Sequence, residues 1–292
     1  MANKIQFISY NILADYLNSP KYILVKEKYL DNNYRIKLLL KKLEKVIINN
    51  TNNTIICLQE VGPMQLSALF TFFTNYKYLC FYYKNLAIFY PNKYKIMSAE
   101  TNHINTLAKK YLKKDRLIEK INNFNQVYMI LQIQTEKNKI ITICNTHIIS
   151  NPRYNNTIKV LQCYLLARKL EKYKKVIFCG DFNSTPLSNV YKLLNTGQIK
   201  YPYYGDFTLP FKFASSYNTL YDNGGEKNIT THTTNILTPK FTETIDYIWT
   251  TPDITPIYSN KIIDINQIKN MKFMPNKDEP SDHFLLRVML KI

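Results

Sequence analysis

Residues 176–186 read Val-Ile-Phe-Cys-Gly-Asp-Phe-Asn-Ser-Thr-Pro. Val176–Cys179 is a short apolar run rich in β-branched and aromatic side chains, and it predicts a buried strand. The strand delivers Asp181 at its end, and Asn183 follows two residues on, on the same side of an extended chain. Thr185-Pro186 predicts the start of a helix over Leu187–Leu194, because proline fits the first helical turn. A carboxylate at the end of a buried strand cannot face the core unpaired, since desolvation would cost several kcal/mol. An ordinary Asx turn would account for the Asp-x-Asn pair. So would a polar pocket at the rim of a sheet, and the rest of the chain decides between them.

The same arrangement recurs. Ile5–Ile8 runs into Ser9-Tyr10-Asn11, Ile55–Leu58 into Gln59-Glu60, and Ile140–Cys144 into Asn145-Thr146-His147. Asp246 sits in Thr244-Ile245-Asp246-Tyr247, and Ser281-Asp282-His283 precedes the last strand, Leu285–Leu290. Singly these have plain explanations: Glu60 as a capping residue, His147 as a satisfied core histidine. Together, Asn11, Glu60, His147, Asp181, Asn183, Asp246, Asp282 and His283 predict one shared pocket, with a donor set that suits a hard divalent cation and phosphate chemistry. An Asp beside an Asn can hold a water and aim it at phosphorus. Adjacent Asp282 and His283 point to different faces and do different jobs. Asp246 can fix the tautomer of His283, as a carboxylate does for an imidazole.

Between these motifs the pattern alternates. Tyr34–Ile48, Met64–Phe73 and Asn156–Tyr173 have helical spacing. Tyr78–Tyr83 with Asn85–Tyr90, and Gln126–Gln134 with Lys139–Asn145, read as hairpins, and Tyr258–Ile263 as a further strand. Asn102–Gln126 and Tyr201–Thr238 read as surface loops or lids. Strands separated by helices, plus hairpins, imply a mixed sheet system covered by helices. The motifs run from residue 9 to residue 283 with no linker or repeat between them, so a single domain over 1–292 is expected.

The five cysteines are an odd number without a CxxC, and Cys57, Cys144 and Cys179 fall inside strands as small apolar fillers. With no N-terminal apolar stretch and no run of about 18 apolar residues, an intracellular, cytoplasmic protein without a membrane span is expected. The net charge of +18 points to a polyanion partner. Only five of the 39 basic residues are arginine, however, a bias that an AT-rich genome produces whatever the function. The 24 tyrosines offer stacking platforms for bases.

The motifs carry a resemblance to the endonuclease/exonuclease/phosphatase superfamily, and within it to the deadenylase branch of carbon catabolite repression deadenylases, Angel and nocturnin. It rests on Ser9–Leu13, Tyr34-Arg35, Cys57–Val61, Ala87–Tyr90, Asn145–His147 with Asn151-Pro152-Arg153, Gly180–Pro186, Thr244–Trp249 and Pro280–His283. Asn145–Arg153 is most similar to Angel. The resemblance implies a four-layer α/β sandwich of the DNase I-like kind. It implies that Glu60 binds Mg²⁺ (Mn²⁺ may substitute) with Asn11 and Asp282 nearby. Asp181 and Asn183 would activate and orient water, His147 and His283 contact the phosphate, and Asp246 support His283. Pro152 and Phe241 would sandwich an adenine. The implied activity is a 3′→5′ exoribonuclease on RNA or oligoadenylate with poly(A) preference. A 2′,5′-oligoadenylate phosphodiesterase, a terminal 2′,3′-cyclic phosphatase and a catalytically silent RNA-binding module are the alternatives. Two features depart from the family: Asn85-Leu86 stand where a glycine is expected before Ala87, and there are no leucine-rich repeats for docking into a deadenylase complex. Ile149 and Asn151 replace the basic residues of nocturnin-like enzymes that act on the 2′-phosphate of NADP(H).

Overall fold

The computed structural model describes residues 4–18, 22, 24–48, 50–150, 156–201, 205–221, 226, 228–234, 240–260 and 263–292. The chain opens with β1 (Lys4–Asn11), α1 (Asn32–Ile47), β2 (Thr54–Gln59), α2 (Pro63–Asn75) and the hairpin β3 (Tyr78–Tyr83) and β4 (Leu86–Pro91). β5 (Lys95–His103) leads to two short helices, α3 (Ala108–Tyr111) and α4 (Asp115–Asn122). The hairpin β6 (Val127–Gln134) and β7 (Ile140–His147) is followed by α5 (Asn156–Leu170), β8 (Val176–Asp181) and α6 (Asn189–Thr196). A ribbon of β9 (Gln198–Tyr201) and β10 (Gly205–Thr208), then β11 (Ala214–Ser215) and α7 (Ser216–Leu220), precede a second ribbon, β12 (Thr231–Thr233) and β13 (Phe241–Glu243). β14 (Asp246–Thr250), β15 (Thr255–Ser259), α8 (Ile265–Ile268) and β16 (Leu286–Lys291) complete it.

Two six-stranded sheets result, ordered β15-β16-β1-β2-β4-β3 and β11-β14-β8-β7-β6-β5. The central strands β1, β2, β4, β7, β8 and β14 read as largely apolar runs because both faces are covered, whereas the edge strands β3, β5 and β15 are partly exposed. Ile5, Phe7, Ile55 and Cys57 meet Ile141, Ile143, Ile177 and Cys179 between the sheets. The alternate residues Ile8, Tyr10, Ile56 and Leu58 pack under α1 and α2. Phe178 and Cys144 pack under α5 on the far side. The layers are therefore helices, sheet, sheet, helices, the four-layer sandwich expected from the sequence. β1 pairs antiparallel with β16 and parallel with β2, which gathers the first, second and last motifs at one edge.

Several expectations change. Asn102–Gln126 is not a plain loop: Ile104, Leu107, Leu117 and Ile121 are buried beneath α5, on helical turns too short for a periodicity to register. Tyr201–Thr238 likewise carries β10, β11, α7 and β12, and its residues 202–204, 222–225, 227 and 235–238 lie outside the described residues. Thr185-Pro186 does not begin a helix. The turn closes with Ser188 N–H donating to Thr185 O at 3.0 Å, and α6 starts at Asn189 with the Ser188 hydroxyl capping Tyr191 N. Serine at the N-cap outcompetes the proline signal. The strand expected at Tyr258–Ile263 is instead Thr255–Ser259, with residues 261 and 262 outside the described set. The missing glycine before Ala87 is accommodated at the hairpin turn, where Lys84 adopts φ 55° and Asn85 O accepts from Val61 N at 2.9 Å.

Buried amides join the sheets near this edge, those of Asn145 and Gln59 among them. Asn145, fully buried on β7, donates its amide to Leu58 O on β2 at 2.9 Å and to Ala87 O on β4 at 3.1 Å. Gln59 returns the link, donating to Asn145 Oδ1 at 2.8 Å. Replacing Asn145 by Leu removes three buried hydrogen bonds and leaves the Gln59 amide only the longer contacts to Ser9 Oγ at 3.3 Å and Cys57 O at 3.4 Å, each loss costing about 1 kcal/mol or more. Asn145→Leu is expected to lower unfolding stability by about 3 kcal/mol or more, read as a lower urea midpoint at unchanged slope.

Candidate active site

Five strand ends and two loops converge where the sheets meet. Asn11 closes β1, and its amide donates to Glu60 Oε1 at 2.9 Å and to Asp181 Oδ2 at 3.1 Å, bridging the two sheets. Glu60 follows β2 with φ 54°, a left-handed conformation that turns its side chain out of the strand run. His147 ends β7 opposite Asp181 in the parallel β7–β8 register, and Asp246 lies opposite Asp181 on β14. Gly180 lets β7 and β8 approach closely. It has φ +139°, and a Cβ there would sit 1.9 Å from Thr146 O.

Around Asp181 the contacts are short. His147 Nε2 lies 3.5 Å from Asp181 Oδ2 and 3.9 Å from Glu60 Oε1. Asn183, at φ 47°, donates its N–H to Asp181 Oδ1 at 2.8 Å and its side-chain amide to Ile148 O at 2.8 Å. The same amide nitrogen is 3.1 Å from His147 Nε2. His283 Nδ1 is 2.8 Å from Asp246 Oδ2, and its Nε2 is 3.7 Å from Asp181 Oδ2. Burial raises the Asp181 carboxyl above its usual range, with the Asp246 charge adding to it and the two histidines opposing. Burial alone would lower His283, but its pairing with Asp246 outweighs this and pushes the imidazole well above its ordinary value.

The sequence-predicted residues thus assemble, with qualifications. Glu60, His147 and Asp181 form one cluster of ligand atoms within 4.8 Å of one another, and Asp181, Asp246 and His283 form a second. Asp282 lines the same cleft but stands outside both clusters, with Oδ2 accepting from Tyr22 Oη at 2.9 Å. Phe241 lines the cleft, which encloses about 590 Å³. Pro152 lies outside the described residues. Sequence reading missed Tyr22, and also Lys159, whose place on the cleft wall is set by α5 rather than by a motif. It gave no role to Arg35, a buried guanidinium that donates to Ile12 O at 2.9 Å, to Leu13 O and to Pro280 O at 2.7 Å. The pair Tyr34-Arg35 was the only signal for it.

The donor set fits a hard cation. Glu60 Oε2 is buried without a hydrogen-bond partner among the described residues, and so is Asp246 Oδ1. A buried carboxylate oxygen left so is costly unless something cationic takes it up. A divalent ion beside Glu60 would meet the carboxylate oxygens of Glu60 and Asp181, the ligand type such ions prefer, while Asn11 gives its NH₂ to both carboxylates and its Oδ1 to Leu13 N–H.

A profile of the family described as "Endonuclease/Exonuclease/phosphatase family" matches residues 8–283. Among curated proteins, the chain is 28% identical to a "CCR4-Not complex 3'-5'-exoribonuclease subunit Ccr4" of Candida albicans, over 94% of this chain and 40% of that protein. It is 30% identical to "2',5'-phosphodiesterase 12" of Mus musculus, over 67% of this chain and 36% of that protein. The chain therefore spans less than half the length of these relatives. Among solved structures, ANGEL2, a 2′,3′-cyclic phosphatase, superposes with a TM-score of 0.83 at 19% identity, covering 100% of this chain and 96% of that one. The human Nocturnin catalytic domain superposes at 0.69 and 19% identity, covering 100% and 95%. At these identities the structural likeness establishes the fold.

Titrating metal-free protein with Mn²⁺ is expected to raise its melting temperature, because an ion that binds only the folded state stabilises it by ~2.7 kcal/mol at a hundredfold excess over Kd. Glu60→Ala should remain folded and lose that rise. A wild-type melting temperature indifferent to divalent ions would refute the metal centre.

Proposed function

The chain belongs to the endonuclease/exonuclease/phosphatase family, and on that premise we propose that it is a divalent-cation-dependent phosphodiesterase acting on RNA, a 3′→5′ exoribonuclease with poly(A) preference, built as one catalytic domain. One observation carries the reading: the Asn11 amide joins Glu60 to Asp181, while Asp181 and Asn183 face the same cleft as Phe241. A cation site, a water-orienting pair and an aromatic wall share one opening. The relatives whose names specify 3′-5′-exoribonuclease and 2′,5′-phosphodiesterase activity support phosphodiester cleavage. The +18 charge supports a polyanionic substrate.

In this reading Glu60, with Asn11 and Asp282 nearby, would hold Mg²⁺, replaceable by Mn²⁺, and the ion would supply charge neutralisation for the phosphoryl oxygens. Asp181 accepts the proton of the attacking water. Its burial beside Asp246 raises its proton affinity, which suits a base. Asn183 orients the same water. His283, held by its bond to Asp246, presents Nε2–H to the phosphate, where a fixed donor stabilises the negative charge that builds up. His147 closes the opposite side. Phe241 stacks on a base, with Pro152 assigned to the other face. Phe241 is half-buried on β13 and belongs to none of the hydrophobic clusters, as a ligand-facing aromatic would be.

The test is a panel of 3′,5′-oligoadenylate, 2′,5′-oligoadenylate, 2′,3′-cyclic-phosphate ends and a base-free phosphodiester, with Mg²⁺ and with EDTA. Fastest shortening of 3′,5′-oligoadenylate from its 3′ end supports the proposal. Cleavage of none points to a silent RNA binder. Asp181→Asn keeps the shape and removes the base, so kcat should fall roughly 10²-fold or more with KM little changed; a wild-type rate would remove Asp181 from the chemistry. Phe241→Ala should weaken oligoadenylate binding by the ~1–3 kcal/mol typical of base–aromatic stacking and leave the base-free substrate unaffected. Equal losses on both substrates, with a lower melting temperature, would instead make Phe241 a packing residue.

A further inference from the structure

Among the described residues that line the cleft, Lys159 is the single lysine or arginine. It projects from the start of α5 between Ile158 and Val160, which are buried in the core beneath that helix. Its ammonium is half-buried, and desolvation draws it below the ordinary lysine range against the opposing pull of the Asp181 charge. A lysine held out of water in this way needs a partner, and Nζ donates to Asn183 O at 2.5 Å.

That carbonyl belongs to a residue with a demanding backbone. Asn183 sits at φ 47°, a left-handed conformation that asparagine adopts more readily than other non-glycine residues but that still needs holding in one place. Three further bonds hold it: its N–H to Asp181 Oδ1, and its amide to Ile148 O and His147 Nε2. Both amide hydrogens are thereby engaged, leaving Oδ1 as the remaining acceptor of the side chain. The carbonyl is the one group that α5, rather than β7 or β8, secures.

We propose that Lys159 is a positioning residue: its ammonium pins the Asn183 carbonyl, so that the Asn183 side chain stays locked between His147 and Ile148 O and its N–H stays on Asp181. The consequence for turnover rests on the water-orienting role assigned above to Asp181 and Asn183. The pinning itself does not, and it is measured separately. A charged donor suits the task, because bonds from an ammonium are roughly twice as strong as neutral ones, and only a long side chain reaches from α5 to the loop after β8.

Two substitutions separate the possibilities: Lys159→Met keeps the aliphatic stem and loses the donors, and Lys159→Arg keeps a charged donor. In asparagine-selective ¹⁵N-labelled protein the Asn183 side-chain amide signal, identified by its loss in Asn183→Ala, should shift and exchange faster with solvent in the Met variant. It should stay near its wild-type position in the Arg variant. With the melting temperature nearly unchanged, kcat of the Met variant on the best substrate of the panel should drop about ten- to a hundredfold, the penalty for small misplacement of a reacting group. KM should hold, and Arg should recover most of the rate. An unmoved amide signal in the Met variant overturns the proposal. So does a raised KM at constant kcat with a salt slope smaller by about one, which would make Lys159 a substrate phosphate contact. If the Met variant does not fold, Lys159→Gln carries the same comparison. Should the wild-type protein cleave nothing in the panel, the functional reading fails while the amide signal still decides the pinning.

Discussion

The whole site depends on two sheets being held in register at one edge, and a pair of buried amides does this. Hydrophobic contact between the sheets is strong but non-directional, and it would tolerate a slide along the strand axis. The Asn145 amide, shared between Leu58 O and Ala87 O, and the Gln59 amide on Asn145 Oδ1 do not tolerate it. Gln59 precedes Glu60, and Asn145 lies two residues before His147. Each bolt is therefore in the same motif as the chemical group it aligns. Gln59 Oε1 accepts no hydrogen bond among the described residues, but these three directional amide bonds in a low-dielectric core still specify one arrangement better than apolar packing can.

With the edge fixed, the difficulty becomes electrostatic. Glu60, Asp181 and Asp282 face one cleft, Asp246 stands beside Asp181 and His283, and its charge together with burial opposes ionisation of Asp181. The fold relieves part of this: His283 is bound to Asp246, the Asn11 amide is shared between Glu60 and Asp181, and Tyr22 Oη donates to Asp282. Glu60 Oε2 and Asp246 Oδ1 keep no protein donor among the described residues. The remaining imbalance is what would draw a cation to the site. Arg35 offsets it only indirectly, because it spends its donors on the carbonyls of Ile12, Leu13 and Pro280 and so ties the exit of β1 to the approach of Ser281–His283.

What could be read from the sequence follows from this division. The strand-end motifs were legible because an apolar run with a carboxylate, amide or imidazole at its end has few structural uses, and eight of these residues meet where expected. The four-layer fold was legible for a related reason, since strands buried on both faces and helices with one apolar stripe leave few ways to stack. Gln59 and Asn145 were visible as motif members, but their function as inter-sheet bolts was not, because it depends on which carbonyls lie opposite in another sheet. Lys159 and Tyr22 carried no signal, since a lysine on an amphipathic helix and one tyrosine among 24 look the same whether they face solvent or a cleft. α3 and α4 were lost because a helix of one or two turns owes its stability to what it packs on rather than to its own periodicity.

Substrate-facing and phosphate-facing parts of the cleft are mechanically one piece on its far wall. Phe241 pairs with Thr233 across the β12–β13 ribbon. Two residues back, Thr231 bridges to His283, and its hydroxyl donates to Asp282 O at 2.8 Å. His232, between them, is stacked on Phe273 with ring centroids 4.5 Å apart, and its carbonyl accepts from Met274 N at 2.9 Å. The ribbon that presents the aromatic wall is thus anchored to the Asp282-His283 pair by main-chain and side-chain bonds rather than hinged away from it. If, as proposed, a base sits on Phe241 and a phosphate at His283, the fold sets them at a fixed offset, and selection among linkages would come down to which backbone geometry spans that offset, since displacing one contact displaces the other.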